Sequence, residues 1–285
     1  MATTNTSHHG KRAVPVGPPI APAVISRGPV FQPRFKNIQP GSFSWETPWA
    51  VVTVEGRLGG VHRKVLDAIF AEPIKSKQIE SGAQMMVIDP YRIAKLTGAT
   101  KSHPQWLKTV LRDMQNAHVT ILDKATTGLH YWGHIISDIW ESKKSAEMPG
   151  GALVGDRPLF VVTISPGWMQ IYDTSLVVRY RNELSTLADI KSGAVHAAAL
   201  HILTHSSGSF DVAEVLRVVG VGWDDISSRR QNQILQEVER DAEQLKKLGM
   251  HLYRQAVTAK LMISYQPTGE VHGEFAAVSG GMSGM

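Results

Sequence analysis

The chain contains no cysteine. That excludes a disulfide framework, thiolate-based zinc sites and a thiol nucleophile, and it suits a reducing compartment. No run reaches the ~20 apolar residues that span a bilayer, and the N-terminus lacks the charged-then-apolar layout of a secretory signal. The expectation is a soluble cytoplasmic protein with no membrane partner. Also missing are a phosphate-cradling Gly-Lys-Ser/Thr, a GxSxG elbow, an HExxH helix, a Rossmann fingerprint and a paired-carboxylate motif. His201 and His205 lie one helical turn apart, with His196 nearby, but no zinc-motif glutamate accompanies them and the segment is rich in alanine. They read as structural. The sequence therefore offers no catalytic residue, cofactor or metal site, and the expectation is a protein that is not an enzyme.

What is present fits a folded chain. At 285 residues, 42% hydrophobic and 19% charged, it has room for about two domains with their own cores. The net charge of +5 and pI near 9.4 favour a polyanionic partner but are too mild to name one.

Residues 1–44 are rich in Pro, Gly and Ser, show neither helical nor strand periodicity, and carry only basic charges, Lys11, Arg12, Arg27, Arg34 and Lys36. They read as a disordered basic arm. From 45 to 145 the pattern is that of a small α+β unit. "WAVVTVEG" suggests a strand, "GGVHRKVLDAIFAEP" a helix ended by Pro73, and "AQMMVID" a second strand. In "DPYRIAKLTG" Asp89 takes the cap position, Pro90 the first helical position and Gly98 the stop. A helix from about His103 to Ala117 follows, Ser102 and Gln105 having capping-box spacing. "HVTILDK" and "HYWGHIISDIWES" then read as strands joined by the turn "ATTG".

Residues 146–158 read as a linker or mobile loop. A second unit, 159–270, opens with the strand "LFVVTIS" and continues with a long helix over about 188–206. The short helix "SFDVAEVLRVVGV" comes next, with Ser209 or Asp211 as cap, then a helix from Asp225 and a closing hairpin, "MHLYRQAVTAKLMISYQ". A disordered tail occupies 271–285. The fold class is α+β, two tandem winged-helix domains behind a flexible Pro/Gly-rich arm, with the helix after each turn in the position that reads DNA. Most tryptophans, including Trp45, Trp49, Trp132, Trp140, Trp168 and Trp223, read as core anchors or wing supports.

The helix from Asp225 carries the most informative chemistry. At 100° per residue its apolar stripe is centred on Ile234, Val238, Ala242 and Leu245, with Ser227 and Gln231 on the same side. Asp225, Arg229, Asn232, Gln233, Gln236 and Arg240 are left to face away, and Ser228 joins Arg229, Asn232, Gln233, Gln236 and Arg240 as candidate DNA contacts. A guanidinium and primary amides are the groups that pair bidentately with guanine and adenine edges in the major groove. Asp224 and Asp225 are assigned to capping. In the first unit Leu107, Val110, Leu111 and Met114 form the buried stripe. That turns Gln105, Lys108, Thr109 and Arg112 outward, with Lys101 and His103 adding positive potential at the same end.

The second half resembles plasmid replication initiators of the tandem winged-helix type. The resemblance rests on "LFVVTIS", on the segment "YRNELSTLADIKSGAVHAAALHILTHS" with Leu184, Ser185, Leu187, Ala197, Leu200 and Leu203 in the family's apolar spacing, and on a long helix closing as "LKKLGM" before a hairpin. The first half matches in layout, through "VLDAIF", "IAKLTG" and "WLKTVLRDM". The resemblance covers roughly residues 45–265. It implies sequence-specific binding of double-stranded DNA at directly repeated origin sites, recruitment of host initiator and replicative helicase, and often repression of the protein's own gene, with a homodimer compatible. The proline-rich arm departs from the family pattern. A winged-helix transcriptional repressor uses the same modules, and a module that binds only proteins is the third class.

Overall fold

Local chemistry sets most element boundaries. Asp89 accepts from the Tyr91 amide at 2.9 Å and Pro90 starts the helix it caps, as the spacing predicts. The helix ahead of it stops at Ala71, short of Pro73. In "AVVTVEG" the buried positions Ala50, Val52 and Val54 alternate with half-exposed ones, the mark of a strand packed on one face.

A computed structural model describes residues 20–48, 50–99, 104–124, 130–142, 158–174, 177–180 and 182–267. In chain order the elements are β1 (Ile20–Pro22), α1 (Ala23–Arg27), β2 (Gly41–Glu46), β3 (Ala50–Gly56), α2 (Gly60–Ala71), β4 (Lys75–Gln78), β5 (Gln84–Ile88), α3 (Pro90–Leu96) and α4 (Pro104–Asn116). β6 (His118–Asp123), β7 (His130–Gly133), β8 (Ile136–Ser142), β9 (Leu159–Ile164), α5 (Pro166–Thr174) and β10 (Val177–Arg179) follow. The chain continues with α6 (Leu184–Asp189), α7 (Gly193–Ile202), β11 (Gly208–Asp211), α8 (Val212–Val218), α9 (Ser228–Arg240), α10 (Ala242–Lys247), β12 (Met250–Arg254) and β13 (Leu261–Tyr265). The result is a mixed α+β fold.

Two cores form. One gathers side chains from α1 to α5 around Leu58, Leu66, Leu111, Phe160 and Trp168. The other gathers α6 to β13 around Leu187, Leu200, Leu216, Ile234 and Tyr265. In the second unit the three-stranded sheet runs β11-β13-β12, so the strand after the first helix pairs with the last strand of the hairpin. The first unit repeats this order as β4-β5-β9-β8. It adds a second antiparallel sheet, β2-β3-β6-β7.

This topology corrects the expected division at 145 and 159. "LFVVTIS" is not the opening strand of the second unit. β9 pairs with β8 and β5, and Phe160, Val162 and Ile164 lie in the first core. α5 belongs there too, with Trp168 and Ile171 fully buried. Residues 146–157 of the expected linker lie outside the described residues, and the strands on either side of them, β8 and β9, are hydrogen-bonded neighbours in one sheet of the first unit. β6 pairs with β7 as expected of the hairpin "HVTILDK". The second expected strand, "HYWGHIISDIWES", is broken around His134 and Ile135, and its second half, β8, crosses to the other sheet.

The expected arm over 1–44 is also corrected from Ile20 onward. Residues 1–19 lie outside the described residues. Beyond them Ala21, Val24, Ile25, Val30, Phe31 and Ile38 are buried, β1 pairs with β10, and β2 pairs with β3. Proline and glycine here serve close packing rather than disorder. A Cβ on Gly193 would stand 2.6 Å from the Arg34 Cα, and one on Gly220, where φ is +82°, would meet Pro29 at 2.6 Å. This wrapping segment bridges the units, Arg27 donating to the Thr204 hydroxyl at 2.9 Å. The tail at 271–285 lies outside the described residues.

Two expected helices are shorter than the pattern suggests. The helix over 188–206 is α6 and α7, separated at Ile190, because Ser192 accepts from the Val195 amide and starts α7 afresh. The helix from Asp225 is α9 and α10, separated at Asp241. α8 is capped by Asp211 rather than Ser209, which lies in β11. The closing hairpin is present as β12 and β13.

Candidate nucleic-acid interface

α9 begins where Ser227 accepts from the Arg230 amide at 3.4 Å. Ser227 is thus the cap, exposed rather than on the buried side as expected, and Asp224 is not a cap at all. Its carboxylate takes two hydrogen bonds from Arg217, at 2.8 and 3.0 Å, and that hydrogen bonding, aided by Arg217's charge, holds it below the usual carboxylate range. The pairing draws Asp224's negative charge onto α8.

Ile234 and Val238 face inward, 2% and 1% exposed, each burying a side chain worth roughly 1.5–3 kcal/mol. They anchor a helix whose other face is polar. Gln231, half-buried as its position on the stripe implies, donates to the Trp223 carbonyl at 2.8 Å and ties the helix to the preceding turn. Ser228, Arg229, Asn232, Gln233, Gln236 and Arg240 are all exposed. Arg229, Asn232 and Gln236 have no hydrogen bond or ion pair among the described residues, so their full donor and acceptor capacity points to solvent. Gln233 differs, since its Oε1 accepts from Arg230 at 3.3 Å. Arg240 lies 3.7 Å from the Asp241 carboxylate, near Glu239, which holds Arg254 of β12 at 2.7 Å. The unpaired amide and guanidinium groups therefore concentrate in the first turns of α9, while its last turn is mixed in charge.

A second ion pair fixes the helix in the unit. Arg230 reaches Glu237 at 3.2 Å, and the other oxygen of Glu237 accepts from the Ser192 hydroxyl at 2.5 Å, at the start of α7. The hairpin supplies residues that the sequence reading did not single out. Tyr253 is 40% and Val257, at the tip, 92% exposed, while Lys260 is held by Asp211 at 2.8 Å. Alternation in "MHLYR" was the available signal for Tyr253.

In the first unit Leu107, Val110, Leu111 and Met114 face inward as expected, and Gln105, Thr109 and Arg112 are exposed. Lys108 is half-buried and bound to Glu141 of β8 at 2.7 Å, so its charge is already paired. Thr109 donates to the Gln105 carbonyl at 3.1 Å. Lys101 lies outside the described residues. α4 thus presents less unpaired chemistry than α9.

His196, His201 and His205 belong to the second core rather than to this surface. His196 packs edge-on against Phe35 at 5.4 Å, and the rings of His201 and His205 lie 5.1 Å apart. Trp168 and Trp223 are buried as expected of anchors. Trp132 and Trp140 are not core anchors, being 75% and 66% exposed, because each sits on the outer face of an edge strand. Trp49 lies outside the described residues.

No protein-family model matches the sequence. No curated protein matches it. Two crystal structures resemble the fold. One is of RctB domains 2-3, with a TM-score of 0.49 and 10% identity over 86% of this chain and 96% of that one. The other is of a selenomethionine derivative of domains 2 and 3 of RctB, with a TM-score of 0.50 and 9% identity over 84% of this chain and 94% of that one. The latter likeness spans both units and is one of fold.

Proposed function

We propose that the chain is a non-enzymatic, sequence-specific DNA-binding protein that initiates plasmid replication in the cytoplasm. Its two units are winged-helix domains, with α9 the reading helix of the second and α4 an auxiliary contact of the first. One observation carries this reading: Arg229, Asn232 and Gln236 stand exposed and, among the described residues, unpaired on a helix anchored by Ile234 and Val238. Such groups match the donor and acceptor pattern of base edges in the major groove. The strand order β11-β13-β12 around α8 and α9 is that of a winged helix and supports the assignment. The resemblance of "YRNELSTLADIKSGAVHAAALHILTHS" to plasmid initiators supports replication over other uses of the fold. On this reading the DNA is a set of origin repeats, and host initiator and helicase are recruited to it.

Footprinting on DNA flanking the gene tests the proposal. Protected direct repeats support an initiator. A protected promoter palindrome replaces it with a repressor. An unprotected region removes both.

A further inference from the structure

Trp140 is 66% exposed on β8, an edge strand of the sheet ordered β4-β5-β9-β8. Directly paired residues of antiparallel strands share a sheet face. The register therefore sets Trp140 beside Val161, Val161 beside Val87, and Val87 beside Lys75. A neighbouring row runs Asp138, Thr163, Met85, Lys77. The other face carries Met86, Ile88, Phe160 and Val162 into the core with Leu107 and Leu111 of α4. The Trp140 face thus points away from α4.

Met85, Val87 and Val161 are half-buried on this face. Lys75 and Lys77 are exposed, with no hydrogen bond or ion pair among the described residues. Each row crosses from one edge of the sheet to the other, and the first reads indole, aliphatic, aliphatic, ammonium. Both lysines lie on β4, while Asp138 places a carboxylate on the β8 side, so the complement is an apolar stripe with carboxylates at its β4 end. Four strands about 4.8 Å apart and about three residues of strand length give a face of roughly 200 Å². A stable dimer buries about 800 Å² per partner, so a second copy would gain too little here, whereas one peptide segment fits. A nucleic-acid base could stack on the indole, but its polar edge would then lie on Val161 and Val87 without hydrogen-bond partners.

We propose that this face binds a short acidic amphipathic peptide segment of another protein. The apolar side chains of the segment rest on Trp140, Val161 and Val87, and its carboxylates meet Lys75 and Lys77. Because the face lies opposite α4, occupancy leaves that helix open, and the proposal stands independently of the DNA reading.

The test uses the full chain and a fluorescent synthetic helix of about 14 residues with Leu and Phe at i, i+3, i+4 and i+7 and Glu clustered at one end. Anisotropy should show saturable binding, weakened about tenfold by W140A and by K75E/K77E and unchanged by W132A, which removes an equally exposed indole from the other sheet. A second probe with Lys in place of Glu should bind K75E/K77E more tightly than the unaltered chain, a gain that misfolding cannot produce. Absence of saturable binding, equal loss in W132A, or Trp140-dependent displacement by oligothymidine would overturn the proposal. So would a Trp140-dependent dimer in sedimentation.

Discussion

The Arg63 guanidinium donates to the Tyr180 hydroxyl at 2.9 Å, joining a helix of the first unit to the chain that enters the second. The same group holds both oxygens of Asp67, at 2.9 and 3.0 Å, and the Ser26 hydroxyl at 2.9 Å, all out of contact with water. Burial pushes the Asp67 carboxyl up and Arg63 pulls it back. Arg63→Ala would strand that carboxylate and should cost about 3–5 kcal/mol. Tyr180→Phe, which removes the hydroxyl's bonds to Arg63 and Asp67 but leaves the ion pair intact, should cost about 1–2 kcal/mol. Urea unfolding measures both, and a loss for Arg63→Ala no larger than that for Tyr180→Phe would show that Asp67 is rehydrated instead.

Acid should loosen the second unit first. Burial, with help from neighbouring cations, holds His196 well below the usual histidine range, and burial, His205 and Arg27 bring His201 down to about 4. An unfolded histidine takes its proton near pH 6.5, so between that value and about 4 the unfolded chain binds more protons. Stability is therefore fully present above about pH 6.5 and falls as pH drops through the window, by on the order of 3 kcal/mol for His201 alone. Thermal unfolding from pH 7.5 to 4.5 should show the decline, and His201→Gln should flatten it. A slope unchanged in that variant would locate the acid sensitivity elsewhere.

Locally encoded features were the most legible in the sequence. Asp89–Pro90 fixed the start of α3, and the polar run ahead of Ile234 located α9 and its exposed face, because caps and periodicity act within a few residues. Long-range pairing was not legible. "LFVVTIS" is an apolar strand in either unit, and only its register against Gln84–Ile88 shows that it closes the first one. The arm misled for a related reason. Its Pro and Gly remove periodicity, yet Val24, Ile25 and Phe31 find their partners on helices far along the chain. At the site, spacing placed Lys108 outward but could not reveal Glu141, 33 residues away, as its partner.

If α9 reads bases, Arg229 should matter at one position of the site rather than everywhere. Arg229→Ala should cost about 1–3 kcal/mol on the preferred sequence and nearly nothing on a site already altered at the contacted base pair. Affinities on a panel of single-base variants at fixed salt give the comparison. A uniform loss across the panel would make Arg229 a phosphate contact instead.

The Lys108–Glu141 pair leads to an unusual expectation, that removing a carboxylate strengthens DNA binding while removing the lysine changes little. Paired to Glu141 at 2.7 Å, Lys108 must break an existing interaction before it can meet a phosphate, so Lys108→Ala should weaken binding less than Arg112→Ala. Glu141→Gln frees the ammonium without altering shape and should raise affinity for every duplex alike. It should also steepen the dependence of log K on log salt by about one unit, the signature of one additional phosphate contact. Salt titrations of the three variants on specific and random duplexes separate the outcomes. An unchanged slope for Glu141→Gln would place α4 away from DNA and leave recognition to α9.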